Sequence, residues 1–417
     1  MEDLSNKTAL FVDHGLFTFI AEKLAPSFGK MYYYSEWKNA FPKFSMASPG
    51  DGVPGLIRVH DIWPLANKVD IVIFPDIYNG ELQLQLRSMG KVVWGGGTTD
   101  VLEHNRELFR NLQVELGMAV PETAIIVGMT ALRDYLIENA PKHVKICTYR
   151  GDMESFKHDS YDVTECYLDD LEARLGAQKE SVTFIAEDPV GEIEIGFDGW
   201  CIDGKFPEIC GYGYEVKDCG YVGKIVPYST LPVALSKVNG SLGPELGRRG
   251  MRGFFSTEVR VGADRVPYLL DPCMRAGSPP SEVMIESYDN LAEIIWEGAH
   301  GNLVTPRPTG KYTAIAMMES KWADTHWMSL MIPEEVAPWV KLKCKAVKDG
   351  RTYFVPQYGE LWTIGGVVAV ADTMNAAISL VKDRAEQIKA YDLRIRTDNF
   401  SQAEEEVKEG RKYGVNF

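Results

Sequence analysis

Short apolar segments alternate with amphipathic segments over the first hundred residues. Brief apolar runs predict buried strands, and apolar residues three or four positions apart predict helices. The predicted strands are Thr8–Val12, Lys30–Tyr34, Val69–Phe74 and Lys91–Trp94, and the predicted helices are Leu16–Leu24 and Leu82–Met89. This alternation favours a parallel sheet covered by helices. The first turn, Asp13-His14-Gly15, lacks a GxGxxG pattern, so a dinucleotide site has little support.

The pattern changes after Gly95-Gly96-Gly97, which we interpret as a flexible joint between domains. A helix is predicted from Leu102 to Leu116, capped by Thr99 or Asp100 and ended by Gly117. The elements predicted after it are the strand Ala124–Val127, the helix Thr130–Asn139, the strands His143–Cys147 and Thr183–Ala186, turns at Asp198-Gly199 and Asp203-Gly204, the helix Leu231–Leu246, the strands Phe254–Val261 and Pro267–Asp271, and a helix near Leu291–Glu297.

The last hundred residues are predicted to be rich in strands and to end in helices. Residues 310–373 favour strands, Ala376–Tyr391 has the spacing of an amphipathic helix, and the charged tail to Phe417 is predicted to be helical. At roughly 150 residues per domain, a chain of 417 residues holds two or three domains.

The net charge argues against two classes of partner. The chain has 59 acidic and 44 basic residues, a net charge of −15, so nucleic acids and anionic membranes would repel it in general. No apolar run approaches the ~18–20 residues of a membrane span. The polar N-terminus and seven cysteines without a CxxC pair lead us to expect a cytoplasmic protein with free thiols and no membrane partner.

Basic residues concentrate in two short stretches. Lys142–His158 contains Lys142, Lys145, Arg150 and Lys157, and Arg248–Arg265 contains five arginines. Such segregation in an acidic protein is typical of a site for nucleotide phosphates. The alternative is that both stretches are ordinary solvated surfaces.

Two predicted adjacent strands carry the strongest chemical signal. Glu258 lies on the first strand, Asp271 on the second, and Arg275 follows four residues later. Because side chains alternate along a strand, both carboxylates can face one cavity and bind Mg²⁺ there. Arg275 could then contact a transferring phosphoryl group. The alternative is that the two carboxylates form surface ion pairs with Arg260 and Arg275.

The stretch Asp271-Pro-Cys-Met-Arg-Ala-Gly-Ser-Pro279 resembles the metal-binding end of the ATP-grasp superfamily, and within it glycinamide ribonucleotide synthetase (phosphoribosylamine–glycine ligase). The resemblance implies that Glu258 and Asp271 hold Mg²⁺ and that Arg275 stabilises the charge of the phosphoryl group and the acyl phosphate. Cys273 stands where the family has a metal-binding Asn. A thiol is a poor Mg²⁺ ligand, so one metal would be weaker, replaced or missing.

Other motifs follow the family order and imply an ATP site. Asn105-Arg106 followed by Gly117-Met-Ala-Val-Pro resembles the entry to the nucleotide-binding lobe, and Val144-Lys145-Ile resembles the strand whose lysine contacts phosphates. A lysine amid apolar strand residues also needs a partner on physical grounds. The implied ATP-binding residues are Arg106, Lys145, Arg150 on a flap at 149–155, Glu187 at the adenine hinge, Glu194 on the ribose with Glu192 as its rival, and Lys217.

The resemblance weakens towards both ends of the chain. The family's N-terminal Gly-x-Gly-Gly-Arg-Glu signature is absent, and Gly365-Gly366-Val367 replaces its Gly-Gly-Arg, which argues against phosphoribosylamine as substrate. The implied fold is α/β and α+β: an N-terminal parallel α/β domain (1–97), central ATP-grasp lobes (98–305) and a C-terminal β-rich domain with a closing helix (306–417).

The implied function is an ATP- and Mg²⁺-dependent carboxylate–amine ligase that forms an amide through an acyl phosphate. Its partners would be a small carboxylate and a small amine. Two alternatives stay open: an ATP-binding module of the same fold without turnover, and a ligase that acts on a nucleic-acid base or a peptide terminus.

Overall fold

A computed structural model describes residues 2–35, 47–148, 155–216, 219–356 and 363–417. Most buried apolar side chains fall into a few clusters that lie between the sheets and their helices. None of the helices in these ranges combines the length and the apolar character that crossing a bilayer requires.

The N-terminal region forms a parallel sheet, as predicted, and the sheet has five strands. Its elements are β1 (Thr8–Asp13), α1 (Thr18–Leu24), β2 (Lys30–Ser35), β3 (Leu56–Val59), α2 (Trp63–Ala66), β4 (Ile71–Ile73), α3 (Gly80–Ser88) and β5 (Val93–Trp94). The strand order is β3-β2-β1-β4-β5. The central strands β1 and β4 are buried almost throughout because helices cover both faces, and this burial produces the apolar runs in the sequence. Strand β3 was not predicted.

The next region forms a four-stranded antiparallel sheet with helices packed on one face. Its elements are α4 (Asp100–His104), α5 (Arg106–Glu115), β6 (Thr123–Val127), α6 (Met129–Glu138), β7 (Lys142–Ile146), β8 (Ser155–His158), α7 (Tyr161–Leu175) and β9 (Thr183–Glu187). The strand order is β6-β9-β7-β8. Apolar residues from α6, α7 and the sheet share one core. Alternate residues of β7, including Lys145, therefore lie on the other face.

The single helix predicted from Leu102 to Leu116 is wrong. Asn105 is extended (φ −123°, ψ 95°), so the segment is two helices, and the Asn105 side chain accepts a hydrogen bond from the Leu108 amide at 3.0 Å. Asn105 thus caps the second helix, and neither Thr99 nor Asp100 caps it. The helix does end before Gly117, which has a positive φ of 66°.

A nine-stranded sheet forms the centre of the molecule. Its first part contains β10 (Ile193–Ile202), β11 (Ile209–Val216), β12 (Gly220–Pro227), α8 (Val233–Arg248), β13 (Arg252–Val261), β14 (Pro267–Cys273), α9 (Pro280–Met284), α10 (Leu291–Ala299) and β15 (Tyr312–Glu319). The predicted turn at Asp198-Gly199 is wrong, because β10 pairs continuously with β13 through these residues. Buried Asp198 accepts a hydrogen bond from the Tyr221 hydroxyl at 2.7 Å, so tertiary packing overrides the local turn preference.

The C-terminal region completes this sheet and adds a small one. It contains β16 (Met328–Met331), β17 (Val340–Leu342), β18 (Lys345–Lys348), β19 (Arg351–Phe354), β20 (Thr363–Ala371), α11 (Met374–Ala385), β21 (Lys389–Ala390), β22 (Arg394–Ile395) and α12 (Phe400–Gly410). The large sheet has the order β14-β13-β10-β11-β12-β15-β20-β17, with β22 beside β15, and the small sheet has the order β18-β19-β16-β21. Helix α11 is shorter than predicted because β21 begins at Lys389.

The C-terminal region touches the first turn of the parallel sheet. The Cys344 amide donates a hydrogen bond to the Gly15 carbonyl at 2.7 Å. Gly15 has a φ of +99°, and a Cβ there would lie 3.0 Å from the Cys344 sulfur. This close approach therefore requires glycine.

Candidate functional site

Glu258 and Asp271 lie opposite each other on the antiparallel strands β13 and β14. Directly paired residues project from the same face of a sheet, so the two carboxylates are neighbours. Glu258 is exposed, and 23% of the Asp271 side chain is accessible. The pair thus presents two hard oxygen donors on one accessible face, which suits Mg²⁺.

Asp271 is bound by cations from the neighbouring region. The Lys145 ammonium, on β7, lies 2.7 Å from Asp271 Oδ2, and Arg106 Nε, at the start of α5, lies 3.7 Å from Oδ1. Burial raises the pKa of the Asp271 carboxyl, but the charges of Lys145, Arg106 and Arg110 outweigh burial and hold the pKa well below its usual range. Asp271 is therefore ionised at neutral pH, as a metal ligand must be.

Arg106 is held in place by the end of β7. Its amide donates to the Cys147 carbonyl at 3.1 Å, and its Nη1 donates to the Ile146 carbonyl at 2.7 Å. The side chain is buried, and its guanidinium stands at the junction between the four-stranded sheet and Asp271.

Glu187, at the end of β9, is buried against Arg110 of α5. Arg110 Nη2 donates to Glu187 Oε2 at 3.0 Å, and Arg110 Nε contacts the other carboxylate oxygen. Arg110 also donates to the carbonyls of Leu269 and Leu270 at 3.0 and 2.9 Å. Lys145 lies 3.8 Å from Glu187, so Glu187 and Asp271 flank the same ammonium.

Arg275 connects the end of β14 to the parallel sheet. Its Nε lies 2.9 Å from Glu103 Oε1 and 3.6 Å from Asp76 Oδ1. Glu103 Oε2 also accepts from the Met274 amide at 2.8 Å, and the Ala276 amide donates to the Pro75 carbonyl at 2.9 Å. Burial lowers the pKa of the Arg275 guanidinium, but the charges of Glu103 and Asp76 raise it well above its usual range.

The cluster therefore combines residues from four elements: Arg106 from α5, Lys145 from β7, Glu258 from β13 and Asp271 from β14. Both cations contact Asp271, Glu258 is paired with Asp271 across the strands, and Arg275 lies four residues after Asp271. Such an arrangement can bind a polyphosphate with its metal and stabilise charge that develops beside it.

Solved structures share this architecture from end to end. A phosphoribosylamine–glycine ligase from Thermotoga maritima superposes with a TM-score of 0.70 at 15% identity, covering 94% of this chain and 99% of that one. A biotin carboxylase from Campylobacter jejuni, solved with β-γ-ATP, gives 0.66 at 14% identity with 95% of each chain covered. An L-amino acid ligase from Bacillus licheniformis gives 0.61 at 14% identity, with 94% and 99% covered.

The chain has the ATP-grasp fold. No family model and no curated protein sequence matches it. The fold expected from the short motifs is thus shown by structural similarity alone. Sequence identities this low support a shared fold and do not establish a shared activity.

Within this ATP-grasp fold, Cys273 lies on β14, two residues after Asp271. It pairs with Ser256 across the strands, and its thiol donates to the Arg275 carbonyl at 3.6 Å. Among the described residues, no three His, Cys, Asp or Glu side chains form a metal-binding group. A Mg²⁺ that serves a nucleotide usually takes only one or two carboxylates, and phosphates and water complete its shell. Glu258 and Asp271 therefore fit such an ion without a sulfur ligand.

Glu194 lies on β10, two strands away from Asp271. Arg260, directly opposite on β13, holds it with Nε 3.1 Å from Glu194 Oε2. Its rival Glu192 is exposed and precedes the strand. A role for either on a ribose stays a prediction. Arg150 and Lys217, the two other predicted phosphate contacts, lie outside the described residues.

Four arginines of the second basic stretch pair with carboxylates other than Asp271. Arg248 and Arg249 pair with Glu245, Arg252 pairs with Asp203, and Arg260 pairs with Glu194. Each of these four arginines has a carboxylate partner, which is compatible with an ordinary surface, and a phosphate role for the stretch stays a prediction.

Sequence reasoning missed two charged residues that organise the site, Glu103 and Arg110. Arg110 follows Arg106 by four residues, about one helical turn, and this spacing on one face of a helix was the available signal. Glu103 lies two residues before Asn105, and no sequence pattern distinguishes it from an exposed glutamate on a helix.

Proposed function

We propose that the protein is an ATP-dependent ligase that joins a small carboxylate to a small amine, releasing ADP and phosphate. The observation that carries the proposal is the ion pair between Lys145 and Asp271 at 2.7 Å. It joins the strand expected to contact phosphates to the strand expected to hold the metal. The three predicted segments, 1–97, 98–305 and 306–417, would be the acceptor, nucleotide and closing domains.

Binding of ATP would redistribute the charges of this cluster. Lys145 and Arg106 would move from Asp271 to the phosphates, which leaves the carboxylates of Asp271 and Glu258 available for Mg²⁺. Mg²⁺ held there would neutralise charge on the β- and γ-phosphates. The exchange conserves electrostatic pairing, because each cation gives up one anion and gains another.

The reaction would proceed in two displacements. A carboxylate oxygen of the acid attacks the γ-phosphorus, the bond from that phosphorus to the bridging oxygen breaks, and ADP leaves with the electron pair. The amine nitrogen then attacks the acyl carbon, the bond between that carbon and the phosphate oxygen breaks, and the proton released by nitrogen passes to phosphate or water. Arg275 stabilises the charge on the transferred group, and positioning supplies much of the rate.

The names of three structurally similar enzymes support small-molecule substrates. The three similar structures are a phosphoribosylamine–glycine ligase, a biotin carboxylase and an L-amino acid ligase. Each name specifies a small molecule. The missing N-terminal signature argues against phosphoribosylamine for this chain.

A nucleotide-binding module without turnover is the second candidate. Cys273 favours it, because its thiol donates to the Arg275 carbonyl instead of supplying the amide oxygen that the family motif places there. ADP release with a panel of acids and amines, measured beside direct binding of Mg·ATP, separates the two functions. The ligase predicts that at least one pair of substrates releases ADP. ATP binding without ADP release for any pair would identify the module.

Asp271→Asn tests the assignment of the site. The substitution removes a ligand charge while preserving shape, so we expect ADP release to fall by at least about a hundredfold with the fold retained. Asp170→Asn is the matched control, because Asp170 is an exposed acid on α7. Unchanged ADP release in Asp271→Asn, with far-UV circular dichroism equal to wild type, would refute the assignment.

A further inference from the structure

The parallel sheet has one topological switch point. Its order, β3-β2-β1-β4-β5, means that the chain builds outward from β1 in one direction and then from β4 in the other. Ligands of open α/β sheets bind in the crevice outside the carboxyl ends of the strands at such a point. Here the crevice lies between the turn after β1, at Asp13-His14-Gly15, and the segment after β4, at residues 74–79.

This crevice adjoins the proposed site of acyl transfer. Asp76, just after β4, lies 3.6 Å from Arg275, and the Pro75 carbonyl accepts from the Ala276 amide at 2.9 Å. A substrate seated at the switch point is therefore beside the arginine assigned to the acyl phosphate. That is the position an attacking acceptor must occupy.

An exposed aromatic side chain, Tyr78, lies in the segment after β4 that bounds the crevice. Tyr78 is 55% exposed, and its backbone adopts a φ of +77°, a strained conformation for a tyrosine. Its ring stacks on the His104 imidazole with centroids 4.4 Å apart, and the His14 ring meets it edge-on at 6.2 Å. Two imidazoles thus hold an exposed ring in a fixed orientation, which is a platform for a flat group.

The charges nearest the crevice are mainly negative. Asp13 ends β1 and Asp76 follows β4; Asp13 and Glu103 are buried, and Arg275 pairs with both Glu103 and Asp76. The described residues 13–20 and 74–80 contain no lysine or arginine. Nearby, Lys345 pairs with Glu22 at 2.6 Å and Lys343 donates to Thr363 at 3.1 Å. A phosphate would meet net negative charge here, whereas an ammonium would be attracted.

We infer that the acceptor of this ligase is an amine that carries a flat unsaturated ring and no phosphate, and that its ring stacks on Tyr78. The role of this amine as acceptor rests on the proposed ligase function. The binding site itself does not depend on turnover.

Equilibrium binding of three probes without ATP tests the inference: tyramine, 1-aminobutane and ribose 5-phosphate, each by isothermal titration and saturation-transfer NMR. We expect tyramine to bind tightest and Tyr78→Ala to weaken it about tenfold. Tyr78→Phe keeps the ring and should bind as wild type. Tyr391→Ala removes an exposed ring from another surface and should change nothing.

Tighter binding of ribose 5-phosphate than of tyramine would overturn the inference, as would tyramine binding that is absent at millimolar concentration or insensitive to Tyr78→Ala. Failure of the ligase proposal looks different: tyramine binds at Tyr78, yet no acid supports ADP release. Release of ADP with phosphorylated acceptors alone would leave the ligase standing and refute the inference.

Discussion

Two carboxylates on the large sheet, Asp271 and Asp198, have opposite electrostatic environments. Asp271 faces three cations, and its pKa lies below its usual range despite burial. Asp198, on the same sheet, is buried against Tyr221 without a cation, and burial raises its pKa to about 6 although hydrogen bonds from Tyr221 and Ser256 oppose the shift. Asp271 therefore stays ionised in mild acid, whereas Asp198 takes up a proton.

The raised pKa of Asp198 predicts a pH-dependent stability. Between the unfolded pKa of about 3.9 and the folded value near 6, the native state binds more protons, so the free energy of unfolding falls as pH rises. Across pH 4 to 7 this residue should account for a loss of about 2–3 kcal/mol. Urea titrations of wild type and Asp198→Asn should differ by that change in slope. Parallel pH profiles for the two proteins would contradict the assignment.

At the scale of elements, helix α5 fastens the four-stranded sheet to the large sheet. Arg106 binds the end of β7, and Arg110 binds Glu187 of β9 together with two carbonyls of β14. The ion pair between Arg110 and Glu187 is buried, so removing one partner leaves an uncompensated charge.

Arg110→Met should lower the free energy of unfolding by about 3–5 kcal/mol. The double variant Arg110→Met with Glu187→Met removes both charges and should recover much of that loss. Urea unfolding of both variants and of Glu187→Met completes the cycle. Additive losses in the double variant would show that the two side chains do not act as a pair.

The sequence allowed prediction of elements whose signal is local. Apolar runs located β1, β2 and β4, and the spacing of Glu258, Asp271 and Arg275 pointed to one site. A mid-strand lysine demanded a partner, and the structure supplies Asp271. The sequence alone could not predict contacts between residues that are far apart along the chain. Glu103 meets Arg275 from 172 residues away, and Asp198 exchanges an expected turn for a buried hydrogen bond with Tyr221.

For the whole molecule, the proposed nucleotide site lies where the parallel sheet, the four-stranded sheet and the large sheet come together. Lys145 contributes from one, Asp271 from another, and Arg275 reaches the third through Asp76. A ligand bound there should stabilise all three regions, because its binding energy is lost when they separate.

Mg·ATP at about a hundred times its dissociation constant should raise the free energy of unfolding of the wild type by about 2.7 kcal/mol. At the same concentration it should stabilise Lys145→Met far less, because the phosphates lose their buried cation. Lys412→Met is the control, since Lys412 is 70% exposed and pairs with Glu409. Equal stabilisation of Lys145→Met and wild type in thermal unfolding would place the nucleotide elsewhere.

The central claim is that a carboxylate is activated by phosphoryl transfer before an amine displaces phosphate. Turnover with an acid whose carboxylate is labelled with ¹⁸O tests it most directly, with mass spectrometry of the phosphate released. An acyl phosphate requires one labelled oxygen to leave the acid and appear in phosphate. Turnover that releases ADP and amide with unlabelled phosphate would contradict the account.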